Sequence, residues 1–131
     1  MKAKQLLRVV ALRKGKLKPV EFRLRASEHG LSLFEFQYRT VAQEIIETVR
    51  AAGKQGELAV AVIDADKIRS LGLTLVRTLG ATSSERINNL HFEARLPFLR
   101  KLLLFLRGIR HYDYFNEELS AKLCAFARLL D

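Results

Sequence analysis

Arg23 and Arg25 stand two residues apart in a stretch, 20–25, whose apolar and polar residues alternate strictly. An extended chain puts both guanidiniums on one face with Glu21, and Val20, Phe22 and Leu24 on the other. Two guanidiniums side by side hold a phosphate or carboxylate through paired hydrogen bonds. Ser27, Glu28, His29 and Ser32 follow near the next turn, where a Glu or His would serve as acid or base. A second string, Asn88-Asn89-Leu90-His91-Phe92-Glu93-Ala94-Arg95, aligns His91, Glu93 and Arg95 if it is extended. Together Arg23, Arg25, Glu28, His91 and Glu93 would furnish the cleft of a small nucleotide- or phosphoester-processing enzyme, provided that the two segments meet. The ordinary reading of both is preferred: a solvated sheet face with ion pairs to Glu21 and Glu35, and a polar turn at Asn88-Asn89.

A third group mixes cations with aromatics. Arg107, Arg110, His111, Tyr112 and Tyr114 follow a helix pattern from Phe98, a combination suited to phosphate contact and base stacking. The helix itself, apolar on one face and basic on the other, also suits an anionic lipid surface or a partner's groove. The ordinary reading is a core helix with a solvated positive back. Arg13, Lys14, Lys16 and Lys18 add four cations around a turn, placed to contact a nucleic-acid backbone.

Other chemistries lack their residues. One cysteine, Cys124, excludes an internal disulfide and a cysteine-rich zinc site, and its place beside Leu123 and Phe126 marks it as a core residue. A His-x-Glu pair alone makes no metal site, and the zinc-deaminase pattern needs a Cys-x-x-Cys that is missing. Gly53-Lys54-Gln55-Gly56 lacks the spacing and ending of a phosphate loop. Asp64 and Asp66 follow an apolar run where ribose or metal ligands occur, but helix capping explains them equally well. The aromatic strings of common RNA-binding modules are absent too. No metal and no cofactor is implied.

The elements that must position these residues define an α+β fold. Leu6–Leu12, 20–25 and 31–36 read as an antiparallel meander with a turn at Lys14-Gly15-Lys16. Residues 38–52 read as a helix with Val41, Ile45 and Val49 inward and Gly53 closing it. Residues 58–63 are a buried strand, followed by a short helix capped by Asp64 or Asp66 and a strand at 73–77. Residues 87–96 suit either strand or helix. Pro97 opens a helix to about Arg107, whose apolar residues are expected to cover the sheet, and Asn116 is expected to cap a last helix with Leu119, Leu123, Phe126 and Leu130 inward.

At 131 residues, nearly half of them hydrophobic, the chain fits one domain, 1–131, with its own core. The formal charge is +9, unevenly spread. Residues 1–25 set Lys2, Lys4, Arg8, Arg13, Lys14, Lys16, Lys18, Arg23 and Arg25 against Glu21 alone, and 94–110 hold Arg95, Arg100, Lys101, Arg107 and Arg110 without an acid. The start of the chain is charged and apolar like a leader, yet Arg8 interrupts the patch, so a strand is expected there. No apolar run reaches a membrane span, and a cytoplasmic protein is expected. The leading expectation is a non-enzymatic module engaging RNA or single-stranded nucleic acid through two positive clusters. The alternatives are the Arg/Glu/His enzyme above and an adaptor for an acidic protein partner. Oligomeric state is not legible.

Overall fold

A computed structural model describes residues 5–37 and 39–130. Lys2, Lys4 and Tyr38 of the expectations above lie outside them.

Strand β1 (Gln5–Leu12) carries two apolar faces, and both are covered. Its Leu6 and Val10 point to one core, its Leu7 and Val9 to another, so it is a central strand with helices on either side. It pairs along its whole length with β3 (Glu57–Asp64), from Gln5↔Asp64 to Leu12↔Glu57. With β2 (Gly30–Glu35) it pairs only at Leu6↔Glu35 and Leu7↔Phe34. Beyond Leu7 the two strands part. The remaining strands are β4 (Thr74–Arg77), β5 (His91–Arg95) and a short β6 (Arg128–Leu129), giving a six-stranded antiparallel sheet ordered β4-β5-β2-β1-β3-β6. This α+β arrangement with helices packed on a sheet agrees with the fold class read from the sequence.

One face is covered by α1 (Arg39–Ala51), through Val41, Ala42 and Ile45, together with Ile87 of a single turn α3 (Glu85–Asn88). The opposite face is covered by α2 (Ala65–Ser70) and by one long C-terminal helix, α5, spanning 111–126. Helix α5 carries a π turn at Phe115–Leu119 and buries Phe115, Leu119 and Leu123.

Four expectations need correction. The middle strand of the meander is not a strand. Pro19–Phe22 form a 3-10 turn, and 23–25 run extended without a ladder partner. Pro19 presets that turn, and the backbone groups beyond it are taken by side chains. Leu24 N–H donates to Asn116 Oδ1 at 2.6 Å, Asn116 Nδ2 donates to Leu24 O at 2.9 Å, and Ser120 Oγ donates to Phe22 O at 2.9 Å. Phe22 and Leu24 are buried as the alternation implied, but Val20 is exposed and the Glu21 side chain is largely buried, so burial was legible only from Phe22 onward and the pairing was not. Asn116 is therefore no cap: its helix begins at His111, and Asn116 sits within it as a clamp. The helix also ends at Phe126, since Arg128 pairs with Val62 as part of β6 and Leu130 packs on the α1 side. Finally, α4 (Phe98–Leu106) buries only Leu104, and the leucines and phenylalanines expected to cover the sheet are exposed.

The stretch 87–96 resolves into both readings, α3 and then β5, with Ser84 Oγ accepting from Ile87 N–H at the head of α3. Strands β3 and β4 flank α2 as expected but do not pair, because β1, β2 and β5 stand between them.

Candidate functional site

The parting of β1 and β2 creates a wedge, and Arg8 fills it. Arg8 is in phase with Leu6 and Val10, two buried residues on one of the covered faces of β1. Its Nε donates to Glu21 O at 2.6 Å and its Nη1 to Ser32 O at 2.8 Å. Burial pulls this guanidinium down from its usual range to about 10, against the opposing pull of the Glu21 and Glu28 carboxylates. It stays protonated at neutral pH.

Above the wedge lies a cleft of about 580 Å³. Its cationic lining is Arg8, Arg25 and Lys54, His91 lies beside them, and its hydroxyls are those of Ser32 and Thr82. No carboxylate is among its lining residues. The floor is the sheet, through Val9 and Phe34, and one wall is the end of α1 at Val49 and Ala52. The other wall, at 80–82, is pinned by Asn88. Asn88 Oδ1 accepts from Thr82 N–H at 2.8 Å and Thr82 Oγ1 at 2.5 Å, and Asn88 Nδ2 donates to Thr82 O at 2.9 Å. Gly80 permits the close approach, since a Cβ there would meet Asn88 Oδ1 at 3.0 Å and Asn88 Cα at 3.1 Å.

His91 is buried at the cleft floor, edge-on to the ring of Phe34. Its Nδ1 is bonded to Thr78 Oγ1 at 2.8 Å. Desolvation lowers its pKa, outweighing Glu93, so the ring is neutral at pH 7. No buried side-chain nitrogen or oxygen among the described residues lacks a hydrogen bond, so its Nε2, which has no partner there, keeps solvent access.

Of the five residues considered for catalysis, the fold brings Arg25 and His91 to one cleft and leaves the others apart or engaged. Arg23 is exposed and does not line it. Glu28 Oε1 accepts from Arg25 N–H at 2.8 Å, and Glu93 is ion-paired with Arg95 at 2.6 Å. Arg8 and Lys54 are cleft residues that the sequence reading missed. A lone arginine at a buried phase of an apolar strand was the available signal for Arg8; nothing local marked Lys54.

None of the basic residues proposed for a polyanion lines this cleft, but two paths of contacts lead from it toward them. Arg13, Lys14, Lys16 and Lys18 are exposed on the turn after β1, where Lys14 (φ 52°) and Gly15 (φ 74°) close a two-residue hairpin between Arg13 and Lys16. Glu21 links that turn to the cleft, its N–H donating to Lys18 O at 3.1 Å and its carboxylate pairing with Lys54 at 3.5 Å. On the other side Glu28 O is 3.0 Å from His111 Nε2, which ties the cleft to the corner between α4 and α5. There Arg107 and Arg110 are exposed, and Arg110 lies over the Tyr112 ring at 5.2 Å and pairs with Asp113 at 2.9 Å.

Cys124 is half-buried beside Leu17, and burial pushes its thiol up, as expected for a packing residue and not a nucleophile. Among the described residues no group of three or more His, Cys, Asp or Glu could hold a metal ion. Fold and cleft thus define a layered α+β protein with a basic, carboxylate-free cleft at a split in its sheet. Set against family models, curated proteins and solved structures, the chain matches none.

Proposed function

We propose that the protein is a binding module for single-stranded nucleic acid, RNA foremost, which runs along the basic end of the sheet. What supports this reading is a chain of contacts from Lys18 through Glu21 and Lys54 to the cleft, and from Arg25 through Glu28 and His111 to the corner that holds Arg110 and Tyr112. Arg25, Lys54 and the turn lysines serve the phosphates, and the cleft is large enough for one nucleotide-sized group. Tyr112 offers a ring for stacking.

Titration of a mixed-sequence single-stranded RNA across ionic strengths tests the proposal. Each neutralised phosphate adds about 0.7 to the slope of log K against log salt, so four such contacts give a slope near −3. Lys14→Gln with Lys16→Gln, and separately Arg25→Gln, should weaken binding and flatten the slope. Absence of binding to mixed RNA or DNA at low salt sinks it.

A second reading, a small phosphoester-processing enzyme, draws on Arg25 and neutral His91 sharing the cleft. It is the weaker, because Glu28 and Glu93, its intended acid and base, are engaged by Arg25 N–H and by Arg95. Turnover of a nucleotide that His91→Gln abolishes would favour it.

A further inference from the structure

Helix α4 is amphipathic, but turned outward. At about 100° per residue, Phe105, Phe98, Leu102, Leu106, Leu99 and Leu103 gather into one arc of the helix. Phe98, Phe105, Leu106 and Leu99 are 80%, 76%, 71% and 66% exposed. On the side facing the protein sits Leu104, 4% exposed, flanked by Arg100 and Lys101. A helix that merely packs on a core places its leucines inward; α4 turns all but Leu104 outward. At roughly 200 Å² per large side chain the exposed apolar surface from Phe98 to Ile109 is on the order of 800 Å², above the largest patch of an ordinary monomer.

Cations stand on both flanks of this ridge. One flank holds a cavity of about 390 Å³ bounded by Lys101, Phe105, Arg110 and Tyr112. The other holds one of about 290 Å³ bounded by Arg100, Leu103 and Arg107, with Glu118 its single carboxylate. Arg100 is held there by Tyr114, whose Oη accepts from Nη2 at 2.8 Å. Residues 94–112 contain five basic side chains and no Asp or Glu.

We propose that α4 lies in the plane of an anionic phospholipid bilayer, with its apolar arc among the acyl chains and Arg100, Lys101, Arg107 and Arg110 at the phosphates. Charge complementarity decides between occupants. A second copy of the chain would set two predominantly basic rows against each other, four cations to the two carboxylates of Asp113 and Glu118 in each, whereas a bilayer offers apolar depth under a sheet of phosphates. The form of the surface agrees: a convex apolar ridge edged by cations on both sides fits a planar interface better than a protein groove. At nine residues α4 is too short to cross, and no helix among the described residues is long and apolar enough to do so. The inference goes beyond the nucleic-acid reading and does not rest on it.

Flotation of the full chain with vesicles tests it, using phosphatidylcholine alone and phosphatidylcholine with about one lipid in three replaced by phosphatidylglycerol. The chain should float with the anionic vesicles and stay in solution with the neutral ones. Phe98→Ser with Phe105→Ser should cut the bound fraction at least tenfold without changing the melting temperature, because both rings are exposed. The same variant should bind RNA as the wild type does, while Lys14→Gln with Lys16→Gln should lose RNA and keep lipid. Three results overturn the proposal: equal binding to both vesicles, flotation that survives loss of the two rings, or a stable dimer in solution that those substitutions dissociate.

Discussion

Asn116 grips Leu24 by both of its backbone groups, its Oδ1 2.6 Å from Leu24 N and its Nδ2 2.9 Å from Leu24 O. A side chain on helix α5 thereby stands in for the neighbouring strand that 23–25 lacks. Asn116→Ala leaves the N–H and C=O of a buried residue without partners. Each such group costs about 1–3 kcal/mol, so a loss of about 2–4 kcal/mol is expected, read from the urea midpoint at unchanged slope. A change below about 0.5 kcal/mol, the level of a neutral surface substitution, would refute the clamp.

Arg8 makes a related substitution for sheet hydrogen bonds on the other side of the same segment. Arg8→Met strips the donors from Glu21 O and Ser32 O, while relieving the burial that draws the guanidinium down to about 10. The orphaned carbonyls outweigh that relief, and a net loss of about 2 kcal/mol is expected. Arg8→Lys should fall between, since a single ammonium does not reproduce the planar fork that spans both carbonyls. Equal stability of Arg8→Met and the wild type would show that β1 and β2 part without help from Arg8.

These two residues explain what the sequence made legible and what it did not. Helix α1 and strand β3 follow from a helical apolar stripe and a continuous apolar run, which are properties of neighbouring residues. The part from Phe22 to Arg25 showed its alternation of burial in the same way, while the 3-10 turn at Pro19 put Val20 outward. Its lack of a ladder depends on Asn116, 92 residues away, and no local pattern carries that. The apolar periodicity of α4 marked a face correctly but not what the face meets. Arg25 and His91 were recognisable as polar candidates; their sharing a cleft follows from β2–β5 pairing and from the wedge at Arg8, both set by tertiary contacts.

His91 gives the fold a pH dependence of definite sign. Its pKa in the folded protein lies below the ordinary 6.5 because burial disfavours the imidazolium. Between the two values the unfolded chain binds more protons, so stability is full above about 6.5 and falls as pH drops toward the folded value. His91→Asn keeps a partner for Thr78 but loses the ring contact with Phe34, and should be about 1–2 kcal/mol less stable at pH 7.5. That gap should narrow at pH 5.5, since only the wild type carries the His91 penalty. A gap that widens on acidification would mean that the folded state holds His91 protonated.

Asn88 connects this scaffold to binding. Three hydrogen bonds from its amide to Thr82 fix the 80–82 wall opposite Lys54, so the cleft is shaped before any ligand arrives. Asn88→Ala frees that wall, and ordering it again on binding costs about 0.5–1.5 kcal/mol per immobilised group. RNA affinity should fall about three- to tenfold at fixed salt, with an unchanged salt slope, because no phosphate-contacting charge is lost. Amide exchange at Thr82 should quicken in the free protein and recover partly when RNA is bound. A flattened slope would instead mean that the variant has displaced Lys54 or Arg25, and an unchanged affinity would mean that the nucleic acid passes over the turn without entering the cleft.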